Sequence, residues 1–296
     1  MILSALSPDE WRQNGRSFPH HGHEVFYRDS GGSLPALLLI HGFPTASWDF
    51  YRMWDALALR YRVLAPDLMG FGFSAKPKDY PYSLVDQAEL CANLCARQQL
   101  TEVHVLAHDY GVSVAQELLA QHEAGRGAIR LKSIAFLNGG LFPETHRPLP
   151  VQKLLRSPLG FLLAGFMTEE KLSESMQKIF GAETQPNALE CKAFWQLLSY
   201  NGGVKVMHKL IRYIDERVKQ RGRWIPAMQF TQVPMRLING PVDPVSGEHM
   251  AMRYHELIPN PDIVLLPGIG HYPQVEAPDQ VLQALFDFHE RVKRSR

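Results

Sequence analysis

Ala107-His108-Asp109-Tyr110-Gly111 follows the apolar run Val103-His104-Val105-Leu106 and opens a helical pattern carried by Val114, Leu118 and Leu119. Strand, sharp turn and helix in that order make a nucleophile elbow, which lifts the apical side chain clear of the sheet. The apex here is Asp109, where Ser is commoner. A carboxylate nucleophile displaces at sp3 carbon, opening an epoxide or expelling halide, and is left as an alkyl ester. Taken alone, the pentapeptide also fits an ordinary strand-to-helix turn with Asp as the helix N-cap. The rest of the chain decides between the two.

Outward from this stretch, short β-type runs recur at Val25 to Tyr27, Ala36 to Ile40, Arg62 to Ala65, Ser133 to Leu137, Met235 to Ile238 and Ile263 to Leu266. Most are continuously apolar rather than alternating, as parallel strands covered on both faces require. Helical stretches separate them, which predicts an α/β fold with a doubly wound, mostly parallel sheet. The rhythm breaks between Leu141 and about Trp224. Helix-period segments replace strands there: Glu169 to Phe180 behind the cap residue Thr168, Leu189 to Leu198, and Val204 to Val218. The predicted organisation is a core over 1–140, an inserted helical cap over 141–226, and the rest of the core over 227–296. Such an insertion would roof the carboxyl ends of the strands, where open α/β sheets place their sites.

With 296 residues, 45% of them hydrophobic, the chain can bury one large core or one core with a small appended domain. Its 31 basic and 30 acidic residues leave a net charge of +1, which gives no field for nucleic acid or an anionic membrane. The basic cluster Arg291, Lys293, Arg294 and Arg296 reads as a solvated helix end. The expected partner is a small, mostly uncharged organic molecule. Cys91 and Cys95 fall at i, i+4 on one helix face, and with Cys191 they read as buried packing in a reducing compartment. No metal or cofactor is expected. Apolar runs such as Leu159 to Phe166 fall far short of the roughly 20 residues that span a bilayer, and Met1 to Trp11 lacks a leader pattern, so a cytoplasmic location is expected.

An ester on Asp109 needs a base to activate water, and His suits that task near neutrality. His271 stands on the loop after the last strand run, behind Pro267-Gly268-Ile269-Gly270. A carboxylate should hold the other ring nitrogen. Asp243, in Asn239-Gly240-Pro241-Val242-Asp243-Pro244 directly after the strand Met235 to Ile238, is placed for it, although it also suits a Pro-flanked turn. The order nucleophile, acid, His is that of an elbow-type triad. Developing negative charge would be held by two backbone amides, those of Tyr110 and of Phe43 in His41-Gly42-Phe43-Pro44, where Gly42 lets the backbone come close.

From about Glu24 onward the chain resembles the α/β-hydrolase superfamily, through HGFP at 41–44, DLMGFGFS at 67–74, AHDYG at 107–111, GPVDP at 240–244 and GHYPQVEAP at 270–278. The Asp at the elbow, together with HGFP, is similar to the epoxide hydrolase and haloalkane dehalogenase branch. The resemblance implies an α/β-hydrolase fold with Asp109 as nucleophile, His271 as base and Asp243 as orienting acid. Some dehalogenases place the acid after the strand that follows the elbow helix, where this chain has Asn138, which cannot serve. Dehalogenases also clamp halide with a Trp after the nucleophile, and in one subgroup an Asn after His-Gly. Tyr110 and Phe43 stand there, which counts against halide release. Epoxide hydrolases use two cap tyrosines as proton donors. Tyr213 matches one, and Tyr200 is the candidate for the other, with no Tyr between Tyr110 and Tyr200. His41 and Trp195 complete the candidate substrate-contacting side chains, with His146 and Trp224 as further donors. The expected function is cofactor-independent hydrolysis of an epoxide to a diol. Haloalkane dehalogenation, lactone or ester cleavage, and a non-catalytic regulatory protein remain as alternatives.

Overall fold

β3 (Ala36–Ile40) is five consecutive apolar residues, all buried, at the middle of an eight-stranded sheet in a computed structural model that describes residues 6–157, 160–161 and 165–294. The other strands are β1 (Arg16–His20), β2 (His23–Asp29), β4 (Arg62–Pro66), β5 (Glu102–Ala107), β6 (Arg130–Phe136), β7 (Met235–Asn239) and β8 (Ile263–Leu265), in the order β1-β2-β4-β3-β5-β6-β7-β8. The pairs β1–β2 and β2–β4 are antiparallel, and from β4 through β3 to β8 every pair is parallel. This is the mostly parallel α/β sheet that the run of apolar segments predicts, and it agrees with the fold that the family resemblance implies. β1 was not predicted. Its residues Arg-Ser-Phe-Pro-His alternate between exposed and buried and include a proline, so it lacks the apolar signal of the central strands and lies at the sheet edge.

Helices cover both faces. Leu84–Arg97 begins behind Ser83, whose side chain caps Asp86 N–H, and it buries Cys91 and Cys95 as free thiols. Tyr110–Glu123 leaves the end of β5 with its first eleven residues buried. The amphipathic helix Pro278–Arg294 places Val281, Leu285, Phe288 and Val292 on the core and carries the basic cluster to its end, with Arg296 outside the described residues.

Between β6 and β7 the described residues form helices without a strand: Pro150–Arg156, Glu169–Gln177, Ala188–Ser199, Met207–Leu210 and Tyr213–Phe230. Part of the Leu159 to Phe166 run lies outside the described residues. Thr168 does cap its helix, accepting Lys171 N–H. One expectation needs correction. Val204 to Val218 is not one helix: a 3-10 stretch over Tyr200–Val206 and a four-residue helix precede Tyr213. Asn201 and Gly202 there have φ of 48° and 74°, which breaks an α-helical path. The last helix of the insertion runs through Pro226 to Phe230. The carbonyl opposed to the proline ring is that of Gly222, four residues back, and the helix survives because Trp224, Ile225 and Met228 are buried against its neighbours. No described helix is long and apolar enough to cross a membrane.

Candidate active site

Asp109 occupies the N-cap position of the helix Tyr110–Glu123, yet its side chain makes no cap hydrogen bond. The ordinary turn-and-cap reading of the pentapeptide therefore fails. Asp109 has φ 43° and ψ −103°, a conformation that costs a non-glycine residue on the order of 1–3 kcal/mol and persists only where its surroundings impose it. Those surroundings are specific: Asp109 N–H donates to Asn138 O at 2.7 Å, and Val112 N–H donates to Asp109 O at 3.2 Å. The carboxylate is turned away from the helix toward the loop after β3. There Phe43 N–H donates to Oδ2 at 2.9 Å. Gly42 makes this approach available, because a Cβ at 42 would fall 2.8 Å from Asp109 Cβ. Oδ1 accepts no hydrogen bond among the described residues.

His271 faces Oδ1, with Nε2 at 3.9 Å. Its Nδ1–H donates to Asp243 Oδ2 at 2.7 Å. Burial works to lower the imidazole pKa, but the charge and hydrogen bond of Asp243, with Asp109 and Glu276 behind them, overcome it and push the value up to about 9. Asp243 moves the opposite way, to about 2: burial alone would raise it, and the His271 charge, the His271 and Ser246 hydrogen bonds and the Val245 amide outweigh that. The two directions agree, and both describe one buried ion pair.

The loop carrying His271 is fixed by Glu276. That carboxylate accepts N–H bonds from Gly270 and Tyr272 on either side of the histidine, and from Gly181 of the inserted segment, each at 2.8 Å. His271 N–H itself donates to Ile179 O at 2.8 Å.

Above Asp109 lies a narrow cavity of about 60 Å³. Phe43, Asp109 and His271 line its floor, and the inserted helices supply an apolar roof including Leu172, Met176 and Met207. A wider depression of about 430 Å³, bounded by Gln229, Asp262 and Arg291 at the opposite ends of β7 and β8, contains none of these groups.

The remaining predicted side chains divide sharply. Tyr213 is fully buried, edge-on to Tyr110 at 4.9 Å between centroids and near Phe43 at 6.1 Å; it packs beside the elbow without lining the cavity itself, and its hydroxyl has no hydrogen-bond partner among the described residues. Burial, and after it the Asp109 charge, raise its pKa, so the phenol keeps its proton. Tyr110 is buried too, with its hydroxyl toward Tyr82 O at 3.4 Å.

Tyr200 is not in the cavity. Its ring packs edge-on to Phe73 at 5.1 Å with Arg12 over it at 5.0 Å, because the turn at Asn201 and Gly202 takes it to another face. His41 does not reach the cavity either. Its Nδ1–H donates to Gly42 O (2.8 Å) and its Nε2 accepts Leu68 N–H (2.9 Å). Burial holds it neutral, with a pKa lowered to about 4, so it props two backbone loops. Trp195 is half-buried against the core outside the cavity lining, and Trp224 donates its indole N–H to Glu117 at 2.8 Å. His146 has both ring nitrogens buried without partners, and burial, then the nearby Arg217, lower its pKa to about 3.

Three contributors escaped the sequence reading. Asn138 cannot be an acid, but its Nδ2 donates to Asp243 Oδ2 at 3.0 Å and to Gly240 O at 2.9 Å, while its Oδ1 accepts Gly240 N–H at 2.7 Å. Ser246 adds its own N–H and Oγ–H to the same carboxylate oxygen. Arg217 lies buried beside Asp109. For Asn138 the signal was its place after a strand; a serine in the turn behind Asp243 and an arginine in a helical stretch offer none.

For metal ligation, His20, His21 and Asp86 at the sheet edge bring one ligand atom each within 4.8 Å, away from Asp109. The buried thiols of Cys91 and Cys95 are held protonated by burial, and no such group includes them among the described residues.

An eight-stranded, mostly parallel sheet carrying an elbow, a loop histidine and a buried acid defines an α/β-hydrolase. The alpha/beta hydrolase family matches residues 37–284, and the chain belongs to it. It is 39% identical to mesoderm-specific transcript protein of Mus musculus over 96% of this chain and 88% of that one. It is 38% identical to the putative hydrolase LipZ of Mycobacterium tuberculosis, over 95% of this chain and 98% of that one. Among solved structures, the epoxide hydrolase CorEH superposes with a TM-score of 0.76 at 18% identity, over 94% of this chain and 99% of that one, a likeness of fold. The protein is a hydrolase of this superfamily.

Proposed function

We propose that the protein hydrolyses an epoxide to a diol through an alkyl ester on Asp109. The observation that carries this reading is the asymmetry of the Asp109 carboxylate at the floor of an apolar cavity: Oδ2 is held by the Phe43 amide, whereas Oδ1 accepts no hydrogen bond among the described residues and lies 3.9 Å from His271 Nε2. Oδ1 attacks an epoxide carbon, the C–O bond breaks, and the ring oxygen takes the Tyr213 proton. Tyr213 is then reprotonated by the His271 imidazolium. Ester formation has removed the Asp109 charge, one of the influences that raise the His271 pKa, so the imidazole more readily stays neutral.

Neutral His271, held by Asp243, takes a proton from water as the water attacks Asp109 Cγ. The oxyanion develops on Oδ2, where the Phe43 amide already donates and the Tyr110 amide, next in the chain, is the second expected donor. Collapse expels the alkoxide, which takes the proton from His271, and the regenerated carboxyl returns a proton to His271 as it ionises. An open cavity above Asp109 favours turnover over a purely binding role, since a binding descendant can fill that space with side chains. Tyr110 directs its only side-chain donor at Tyr82 O, which leaves halide without the side-chain N–H donor that dehalogenases place at that position.

The test is His271→Gln protein incubated with terminal and aryl epoxides beside matched alkyl bromides, read by intact mass and peptide mapping. An epoxide-sized adduct on Asp109, without multiple turnover, is expected. An alkyl adduct with bromide released would establish dehalogenation instead. No adduct from any compound on folded protein would overturn the ester mechanism for these substrate classes.

A further inference from the structure

Arg217 is borne by the helix Tyr213–Phe230 of the insertion, but it is spent on the core. Its Nε donates to Ser113 Oγ at 2.6 Å and its Nη2 to Asp109 O at 2.9 Å, the carbonyl that also accepts Val112 N–H. Nη2 is 3.8 Å from Asp109 Oδ1, the only carboxylate oxygen within 4 Å of this guanidinium among the described residues. The side chain is 1% exposed and lies over the Tyr213 ring at 4.4 Å. Nη1 has no partner. The neighbouring chain is shaped to admit it: a Cβ at Gly140 would sit 2.4 Å from Nη1.

A buried cation is unfavourable unless it is matched, and this one is matched only by Asp109. Seating the helix does not explain it. Arg223 and Trp224, further along the same helix, already bind Glu117 of the elbow helix. What Arg217 adds is a fork across the strained residue: one arm on the first turn of the helix, one on the Asp109 carbonyl, and a positive charge beside the unbonded carboxylate oxygen. A lysine carries the charge but not the fork.

We propose that Arg217 is a positioning residue for Asp109. It fixes the elbow backbone and supplies the buried counter-charge of the carboxylate, so that the nucleophile is set only when the inserted helix is seated. This rests on the reading of Asp109 as the nucleophile. The guanidinium touches the Asp109 backbone and acts on substrate through the carboxylate it holds.

Two measurements on Arg217→Met and Arg217→Lys test it. The first, hydrogen exchange by NMR, needs no substrate: the Phe43 and Val112 amides, which bond to Asp109, should exchange at least tenfold faster in Arg217→Met while Leu38 in β3 and Val105 in β5 stay protected. Arg217→Lys should fall between Met and wild type. The second follows adduct formation from styrene oxide in the His271→Gln background. Arg217→Met should slow it at least tenfold at saturating substrate with little change in the concentration needed for half saturation, and Lys should restore part of the rate. Unchanged exchange at Phe43 and Val112 overturns the proposal, as does an unchanged adduct rate. If Arg217→Met loosens the whole sheet, Arg217→Lys decides: faster exchange confined to the elbow supports the proposal, and wild-type exchange there overturns it. If His271→Gln alone forms no adduct, the ester mechanism fails, and the exchange result still decides whether Arg217 positions Asp109.

Discussion

Two buried aspartates stand past the ends of β5 and β7, strands on either side of β6, and are treated in opposite ways. Asp243, after β7, accepts five hydrogen bonds: from His271 Nδ1, Asn138 Nδ2, the Val245 and Ser246 amides and Ser246 Oγ. Asp109, after β5, accepts one, and its other oxygen faces a cavity. A carboxylate whose lone pairs are filled is held ionised and is a poor nucleophile, because attack would break the bonds that stabilise it. One with an unfilled oxygen can donate an electron pair. In the proposed mechanism the same residue type serves as a fixed charge in one place and as a reactive group in the other, and the number of donors around each is what separates the two roles.

The largest effect should come from Asp109→Asn. It should abolish turnover, by roughly 10⁴-fold or more, with the thermal midpoint within a few degrees of wild type. Full activity, once deamidation back to Asp is excluded by mass, would remove the distinction between the two carboxylates. In the same variant the His271 pKa, followed by NMR of the ring protons, should fall below about 9, since the Asp109 charge is one of its supports.

Next comes Asp243→Asn, which leaves a carboxamide in place of the ion-pair partner. Turnover should fall about 10³- to 10⁴-fold through loss of the held tautomer. Stability should change with a definite pH signature. A histidine whose folded pKa is raised contributes stability that is fully present below its unfolded value near 6.5 and is lost as pH rises toward about 9. Wild type should therefore lose stability across pH 6.5 to 9, as seen in urea midpoints, and Asp243→Asn should not show that loss. An identical pH profile in both proteins would mean that the pair is not coupled to folding.

Tyr213→Phe tests the Asp109 side more gently. Ester formation on styrene oxide should slow about 100-fold, the low end of what a proton donor contributes, with stability little altered because the hydroxyl has no partner to lose among the described residues. The smallest effect should be that of Tyr200→Phe, within about twofold in rate, since its ring lies against Phe73 and Arg12. A large loss there would show that the cavity changes shape around substrate.

The core was legible where local pattern and burial coincide. β3 is found at Ala36–Ile40 as the apolar run predicts, and the parallel sheet follows from continuous rather than alternating strands. The elbow and the loop positions of His271 and Asp243 could be read because strand ends and short turns leave marks in a few adjacent residues. Tyr200 and His41 were not readable in this way. Each is a plausible polar side chain by type and neighbourhood, and what removes them from the cavity is a turn at Asn201–Gly202 in one case and a backbone amide from Leu68 in the other. Asn138 was dismissed for what it cannot do chemically, although its hydrogen bond holds the Asp243 carboxylate that pairs with His271.

By itself, then, the sequence determined the α/β architecture, the elbow with an aspartate at its apex and the chain order of Asp109, Asp243 and His271, because these depend on contacts among residues close in the chain. Only the tertiary structure decided which carboxylate is saturated and which is open, that Tyr213 rather than Tyr200 packs against Phe43 and Tyr110 beside the elbow, and that Arg217 reaches across 108 positions to grip the Asp109 carbonyl. Those outcomes depend on hydrogen-bond donors and acceptors from distant segments meeting at one point, and no local pattern of residue types encodes where such segments meet.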